Sequence, residues 1–129
     1  MHIGLIPDGN RRYGEKTYGN IFAGYGDSAR SFRVLLAWCL EHSISHLSVF
    51  VFSTENFARA EKLQLFKCIE RSLSSMKKDP RVAVEFLSCR GYRAQFPRTL
   101  RAHMNRIEGD SSQTPDIKLH LLMGYGGQC

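Results

Sequence analysis

The sequence has no apolar stretch long enough to cross a bilayer. Its longest, residues 47–52, falls far short of the roughly 20 residues that a spanning helix needs. It has no C-x-x-C pair: Cys39, Cys68, Cys89 and Cys129 lie far apart. No signal-like leader opens the chain, so these cysteines read as reduced thiols of an intracellular, cytoplasmic protein. The five histidines show no H-E-x-x-H or comparable spacing, which argues against a zinc centre. Low-complexity tracts, internal repeats and domain linkers are also missing. At 129 residues the chain is one domain at most, or part of a larger one. A domain of this size buries about two-thirds of its unfolded surface, enough for a real core.

What is present is globular: 43% hydrophobic, 11% aromatic and 23% charged residues, with a net charge of +6. The excess is uneven. Residues 1–60 carry six Lys/Arg against five Asp/Glu, and residues 61–129 carry twelve against seven. A basic surface suits nucleic acid, an anionic membrane or phosphorylated ligands, or is simply solvated.

Four short apolar runs predict buried strands, at residues 1–6, 46–52, 82–87 and 117–123. Between them the period changes to helical. A weak helix is expected within about 9–16 and a loop over 18–26. An amphipathic helix follows over 28–42 with Phe32, Leu35, Leu36, Cys39 and Leu40 on one face. Further helices are expected over about 59–77, with Leu65, Phe66, Ile69, Leu73 and Met76 inward, and over 92–107, with Phe96, Leu100, Met104 and Ile107 inward. Alternating strands and helices predict an α/β fold, a mostly parallel sheet flanked by helices.

Three of the four strands run into unusual polar or glycine-rich segments. The first gives Asp8-Gly9-Asn10-Arg11-Arg12, the second Ser53-Thr54-Glu55-Asn56 with Arg59 a turn later, and the fourth Gly124-Tyr125-Gly126-Gly127. In an open parallel sheet all carboxyl ends share one edge, where ligands of such folds bind. At the first segment, Gly9 permits a tight turn and close approach to the main chain. A helix starting there offers free N–H groups and a positive dipole end to phosphate, and Arg11 and Arg12 add charge-assisted bonds. Asp8 beside phosphate calls for an intervening cation, and Mg²⁺ binds in that way, through one or two carboxylates and substrate phosphates. Taken alone, Asp8 and Asn10 also read as turn and cap residues and Arg11 and Arg12 as solvated surface, while Asn56 and Arg59, each taken singly, read first as a helix cap and a surface residue.

The three segments together are similar to a known pattern. HIGLIPDGNRRYGEK resembles the opening signature of the cis-prenyltransferases, the undecaprenyl diphosphate synthase family, where a strand leads into Asp-Gly-Asn-x-Arg-aromatic. FSTENFAR matches that family's Phe-Ser-(Ser/Thr)-Glu-Asn-aromatic-x-Arg block, and GYGG resembles its Asn-Tyr-Gly-Gly, in the same order from His2 to Gly127. The resemblance implies head-to-tail condensation of isopentenyl diphosphate with an allylic diphosphate, forming a cis double bond. It implies Asp8 as a catalytic residue and ligand of Mg²⁺, and Asn56 as the catalytic residue that positions the substrates. Gly9, Asn10, Arg11 and Arg12 would cradle the allylic diphosphate and Arg59 would contact diphosphate. Tyr13, Gly24, Tyr25, Ser53, Glu55 and Phe57 complete the implied substrate-binding set. Phe50, Phe52, Leu65, Phe66 and Ile69 stand as walls of a tunnel for the growing apolar chain, or as plain core.

Two departures from the pattern bear on function. Where the family has Arg-x-x-Gly-His, this chain has Ile21-Phe22-Ala23-Gly24-Tyr25, so both cationic groups are lost. Each lost charge-assisted contact is worth about 1.5–3 kcal/mol. The family also continues past Gly-Tyr-Gly-Gly with segments that bind isopentenyl diphosphate and make dimer contacts. The expected architecture is therefore that fold stopped after about four strands, with an uncovered edge or face; the chain is either a fragment or truncated product or is completed by a partner, and once completed a homodimer or heteromer is expected. A lipid-like product implies peripheral membrane contact. The alternative function is a non-catalytic subunit or pseudoenzyme partner of a full-length relative. Nucleic-acid binding through the basic stretch 90–106 is not expected, because the stretch holds only two aromatics and matches no recognised module.

Overall fold

Four strands, β1 (His2–Leu5), β2 (His46–Ser53), β3 (Val82–Leu87) and β4 (Ile117–Tyr125), form one sheet in the order β1-β2-β4-β3, all parallel. The computed structural model describes residues 1–6, 10–19, 24–127 and 129, with the backbone alone for 10–12 and 24–28. Parallel neighbours require crossovers, and four helices supply them: α1 (Asn10–Tyr18), α2 (Gly24–Glu41), α3 (Lys62–Ser74) and α4 (Arg98–Gly109). The expected α/β architecture is therefore the observed one.

Each element follows from local chemistry. HLSVFVFS is rich in β-branched and aromatic residues and forms β2. In α3, Leu65, Phe66 and Leu73 are buried; in α4, Leu100, Met104 and Ile107 are. The helix expected over 92–107 divides in two. A 3₁₀ turn, Arg93–Gln95, comes first, and Phe96 is then extended at φ −72°, ψ 149° before Pro97 opens α4. A residue preceding proline is pushed out of the α region, whereas proline itself costs nothing at a helix start. The loop expected over 18–26 is also corrected. α1 continues to Tyr18 and α2 already begins at Gly24. Glycines read as breakers are tolerated in a first turn, where the N–H groups have no intrahelical partner in any case.

Alternation along β2 and β4 buries Leu47, Val49, Leu119 and Leu121 on one face, against α3 and α4. Near the carboxyl end the register slips twice. Phe50 pairs with Leu122, Phe52 with Met123 and Ser53 with Tyr125. The first slip puts Phe50 and Phe52 on opposite faces although they are two residues apart. Phe52 is buried among Phe57, Phe66 and Phe96, at ring-centroid distances of 4.9, 5.1 and 5.6 Å. Phe50 instead meets Tyr125 edge-on at 6.4 Å. Of the residues set out as tunnel walls, Phe52, Leu65 and Phe66 are core, Ile69 is half-buried, and Phe50 belongs to the other face.

The free edge of β3 is not left bare. Its outward Val84 N–H donates to Ser111 Oγ (2.8 Å) and its Phe86 N–H to Glu108 Oε2 (3.0 Å), both from the end of α4 and the residues after it. Arg93 pairs with the same Glu108 and donates to Asn105 Oδ1 (2.8 Å). Side chains thus satisfy groups that would otherwise template another strand.

Candidate active site

β1, β2 and β4 are neighbours in the sheet, and all three end at its carboxyl edge. Of the first segment, the described part begins at Asn10, where α1 starts. Asn10, Arg11 and Arg12 form the first turn of that helix, a turn with no acidic residue of its own, and N–H groups at a helix start have no intrahelical partner and favour anions. Asp8, Gly9 and Ile21 lie outside the described residues. Gly24 and Tyr25 sit in the first turn of α2, which packs against α1. Tyr13, on α1, is exposed and meets Tyr18 edge-on at 6.1 Å.

The second segment is a 3₁₀ turn, Thr54–Ala58, held by a reciprocal cap. Asn56 N–H donates to Ser53 Oγ (3.1 Å), and Ser53 N–H donates to Asn56 Oδ1 (2.8 Å). Both the cap reading and the functional reading of Asn56 can therefore hold. The cap uses Oδ1 and fixes the side chain, which leaves the two Nδ2 hydrogens as donors. Arg59 N–H closes the turn on Asn56 O (3.1 Å); its guanidinium is half-exposed, with Nη1 3.9 Å from Glu61 Oε1. Glu55 is exposed, and Phe57 turns inward onto Phe52, Phe66, Tyr92 and Phe96.

The third segment is joined to the second. A Cβ on Gly126 would lie 2.8 Å from Thr54 Oγ1, so only glycine allows the two turns to approach this closely. Gly124 has φ +69°, and a Cβ there would lie 3.0 Å from Tyr92 Cβ and 3.3 Å from Phe96 Cε2. The similar family pattern carries Asn at this position. A left-handed φ suits Asn too, but Tyr92 leaves no room for its side chain.

Sequence reasoning missed the turn after β3. Cys89 N–H donates to Gly124 O (2.9 Å), Gly126 N–H to Cys89 Sγ (3.3 Å), and Cys89 forms a disulfide with Cys129, their Cα atoms 5.3 Å apart. The expectation of four reduced thiols is corrected at this pair, because the turns after β3 and β4 meet; Cys39 and Cys68 are free. The available signal was positional: Cys89-Arg90-Gly91-Tyr92 also follows a strand at the carboxyl edge. The basic stretch 90–106 is partly internal. Arg101 Nε donates to Phe96 O (3.0 Å) and Arg106 Nη2 to Leu73 O (3.2 Å). Among the described residues no group of three His, Cys, Asp or Glu is placed to hold a metal, and no helix is long and apolar enough to cross a membrane.

Residues 6–129 match the family model described as "Putative undecaprenyl diphosphate synthase". The chain belongs to the cis-prenyltransferase family. A tritrans,polycis-undecaprenyl-diphosphate synthase (geranylgeranyl-diphosphate specific) of Haloarcula marismortui is 32% identical over 131 aligned positions, covering 98% of this chain and 43% of that protein. An isoprenyl transferase of Deinococcus radiodurans is 31% identical, covering 98% and 48%. The crystal structure of lavandulyl diphosphate synthase from Lavandula x intermedia, in complex with dimethylallyl diphosphate, superposes with a TM-score of 0.86 at 19% identity, covering 98% of this chain and 56% of that one. A probable undecaprenyl diphosphate synthase from Campylobacter jejuni gives 0.73 at 23% identity, covering 98% and 55%. This cis-prenyltransferase chain thus spans about half the length of the curated relatives it matches.

Proposed function

We propose that the protein is a Mg²⁺-dependent isoprenyl transferase that condenses isopentenyl diphosphate with an allylic diphosphate to give a cis-prenyl diphosphate. The observation that supports this reading is the adjacency of β1, β2 and β4, the strands that the three signature segments follow in the sequence. The names of the curated relatives, all synthases or transferases of this class, support the enzyme reading over a non-catalytic subunit.

In this reading the allylic diphosphate sits at the start of α1, against main-chain N–H groups and Arg11 and Arg12. Asp8 would hold Mg²⁺; a single carboxylate beside diphosphate is a donor set that suits this ion. When bound, Mg²⁺ neutralises charge building on the departing diphosphate. Asn56, its carbonyl held by the cap, directs Nδ2 toward the reacting substrates, and Arg59 reaches diphosphate from the half-exposed end of its turn. Ile21 and Tyr25, in place of two cations, weaken this half-site relative to the family pattern. A homodimer or heteromer and peripheral membrane contact in the cytoplasm belong to the same proposal.

The test is calorimetric titration of the 129-residue chain with farnesyl thiodiphosphate, a poorly ionising analogue, with and without Mg²⁺. Binding that is strengthened by Mg²⁺, with the response lost in Asp8→Ala and affinity lost on replacing Arg11 and Arg12, is expected. No binding by a folded sample refutes the half-site.

A further inference from the structure

The turns that follow β3 and β4 are joined at Cys89. Its N–H donates to Gly124 O (2.9 Å), Gly126 N–H donates to its Sγ (3.3 Å), and Cys129 N–H donates to Gly126 O (3.2 Å). The Cys89–Cys129 disulfide closes this arrangement at a Cα separation of 5.3 Å, an ordinary span for the bond. The same turn after β4 leans on the second segment. Tyr125 pairs with Ser53 in the sheet, and a Cβ on Gly126 would lie 2.8 Å from Thr54 Oγ1. Thr54 opens the 3₁₀ turn that Ser53 and Asn56 cap. Cys89 thus touches Gly126, and Gly126 touches the turn that carries Asn56.

We propose that the Cys89–Cys129 disulfide is a redox-operated clasp: closed, it keeps the Gly126 turn against Thr54, and opened by a dithiol it lets the two turns part. Cys89 is buried and Cys129 exposed, so a thiolate arriving from solvent meets the Cys129 side of the bond. Attack on Cys129 Sγ breaks the S–S bond and expels Cys89 as thiolate. Gly126 N–H already points at that sulfur and stabilises the charge, which makes Cys89 the better leaving group. The second thiolate of the dithiol then attacks its own sulfur in the mixed disulfide and releases Cys129. The two protons of the dithiol end on Cys89 and Cys129, and the dithiol leaves oxidised to a cyclic disulfide. Exposed disulfides are the labile, regulatory ones. Gly126 and Gly127 have no side chains to pack, and a Cβ on Gly127 would meet nothing within 4 Å, so a cut tether leaves this turn to its hydrogen bonds. The clasp stands apart from the reading in the preceding subsection; any effect on diphosphate binding would rest on that reading.

Hydrogen exchange on the 129-residue chain, oxidised with glutathione disulfide or reduced with dithiothreitol, tests the clasp without any substrate. Alkylation after denaturation reports the state: Cys39 and Cys68 alone take label in the oxidised chain, and Cys89 and Cys129 join them after reduction. Protection of the Gly126 and Asn56 amides, relative to those of 119–121, is expected to fall about tenfold on reduction. Cys129→Ser, which alters an exposed residue, should show the reduced value with and without dithiothreitol. The comparison of the two states of the native chain decides by itself should the variant not fold. Equal protection in both states, a dithiothreitol response that persists in Cys129→Ser, or labelling of Cys89 and Cys129 in the chain treated with glutathione disulfide overturns the clasp.

Discussion

Replacing Gly124 by alanine tests how the glycine-rich segment is fitted to the turn after β3. Two costs can be worked from the structure. At φ +69° an L-residue pays about 1–2 kcal/mol over glycine. The new methyl would also lie 3.0 Å from Tyr92 Cβ, an atom tied to the main chain at the start of the Arg93–Gln95 turn, and 3.3 and 3.5 Å from the rings of Phe96 and Phe57. Overpacking of this kind costs about 1–3 kcal/mol, and together the terms give about 3 kcal/mol. Urea unfolding followed by far-ultraviolet circular dichroism measures it, as a lower midpoint at unchanged slope. Gly127→Ala is the internal control, since a Cβ there meets nothing within 4 Å. If Gly124→Ala falls within about 0.5 kcal/mol of that control, both the left-handed turn and the contact with Tyr92 are wrong.

Three other outcomes follow from the same contacts. Ser53→Ala and Asn56→Ala should each cost about 1 kcal/mol by loss of the cap, but only Asn56→Ala should also weaken binding of the allylic analogue; equal affinities would reduce Asn56 to a cap. Glu108→Ala, which orphans the Phe86 N–H and leaves the Arg93 guanidinium with Asn105 in place of a carboxylate, should cost about 2–3 kcal/mol in the same unfolding assay, and a loss below about 0.5 kcal/mol would deny that the β3 edge is sealed there. Hydrogen bonds from the Arg81 side chain and amide hold the Asp79 carboxyl below its usual range, so its stabilisation is present above the unfolded value and lost as pH falls through the folded one. The pair is partly exposed, so Asp79→Asn should cost about 0.5 kcal/mol at pH 7. That difference should shrink as pH falls through the lowered folded value, and a constant one would contradict the assignment.

The strands were readable because each is a short β-branched or aromatic run bounded by turn residues, and the polar segments were readable because three strands ended in them. Their adjacency was not, since nothing local tells that β2 pairs with β4 rather than with β3. The slip at Phe50 and Phe52 was hidden for a similar reason: period-two reasoning assigns both to one face, and only the pairing register separates them. Cys89 and Cys129 carried no spacing signal, because their proximity depends on where two strands end. In the stretch 90–106, charge counting saw five arginines as one basic patch, while Arg93, Arg101 and Arg106 spend donors on Glu108, Phe96 and Leu73.

The strand order has a kinetic corollary. Of the four described strands β4 comes latest in the sequence, yet it lies inside the sheet, between β2 and β3. Until residues 117–125 have been synthesised, β3 has no partner among the described strands, and the described pairing that can form is β1–β2, a ribbon too small to persist in water. Assembly of these four strands therefore waits on residues 117–125 and is set by long-range encounter rather than by local growth.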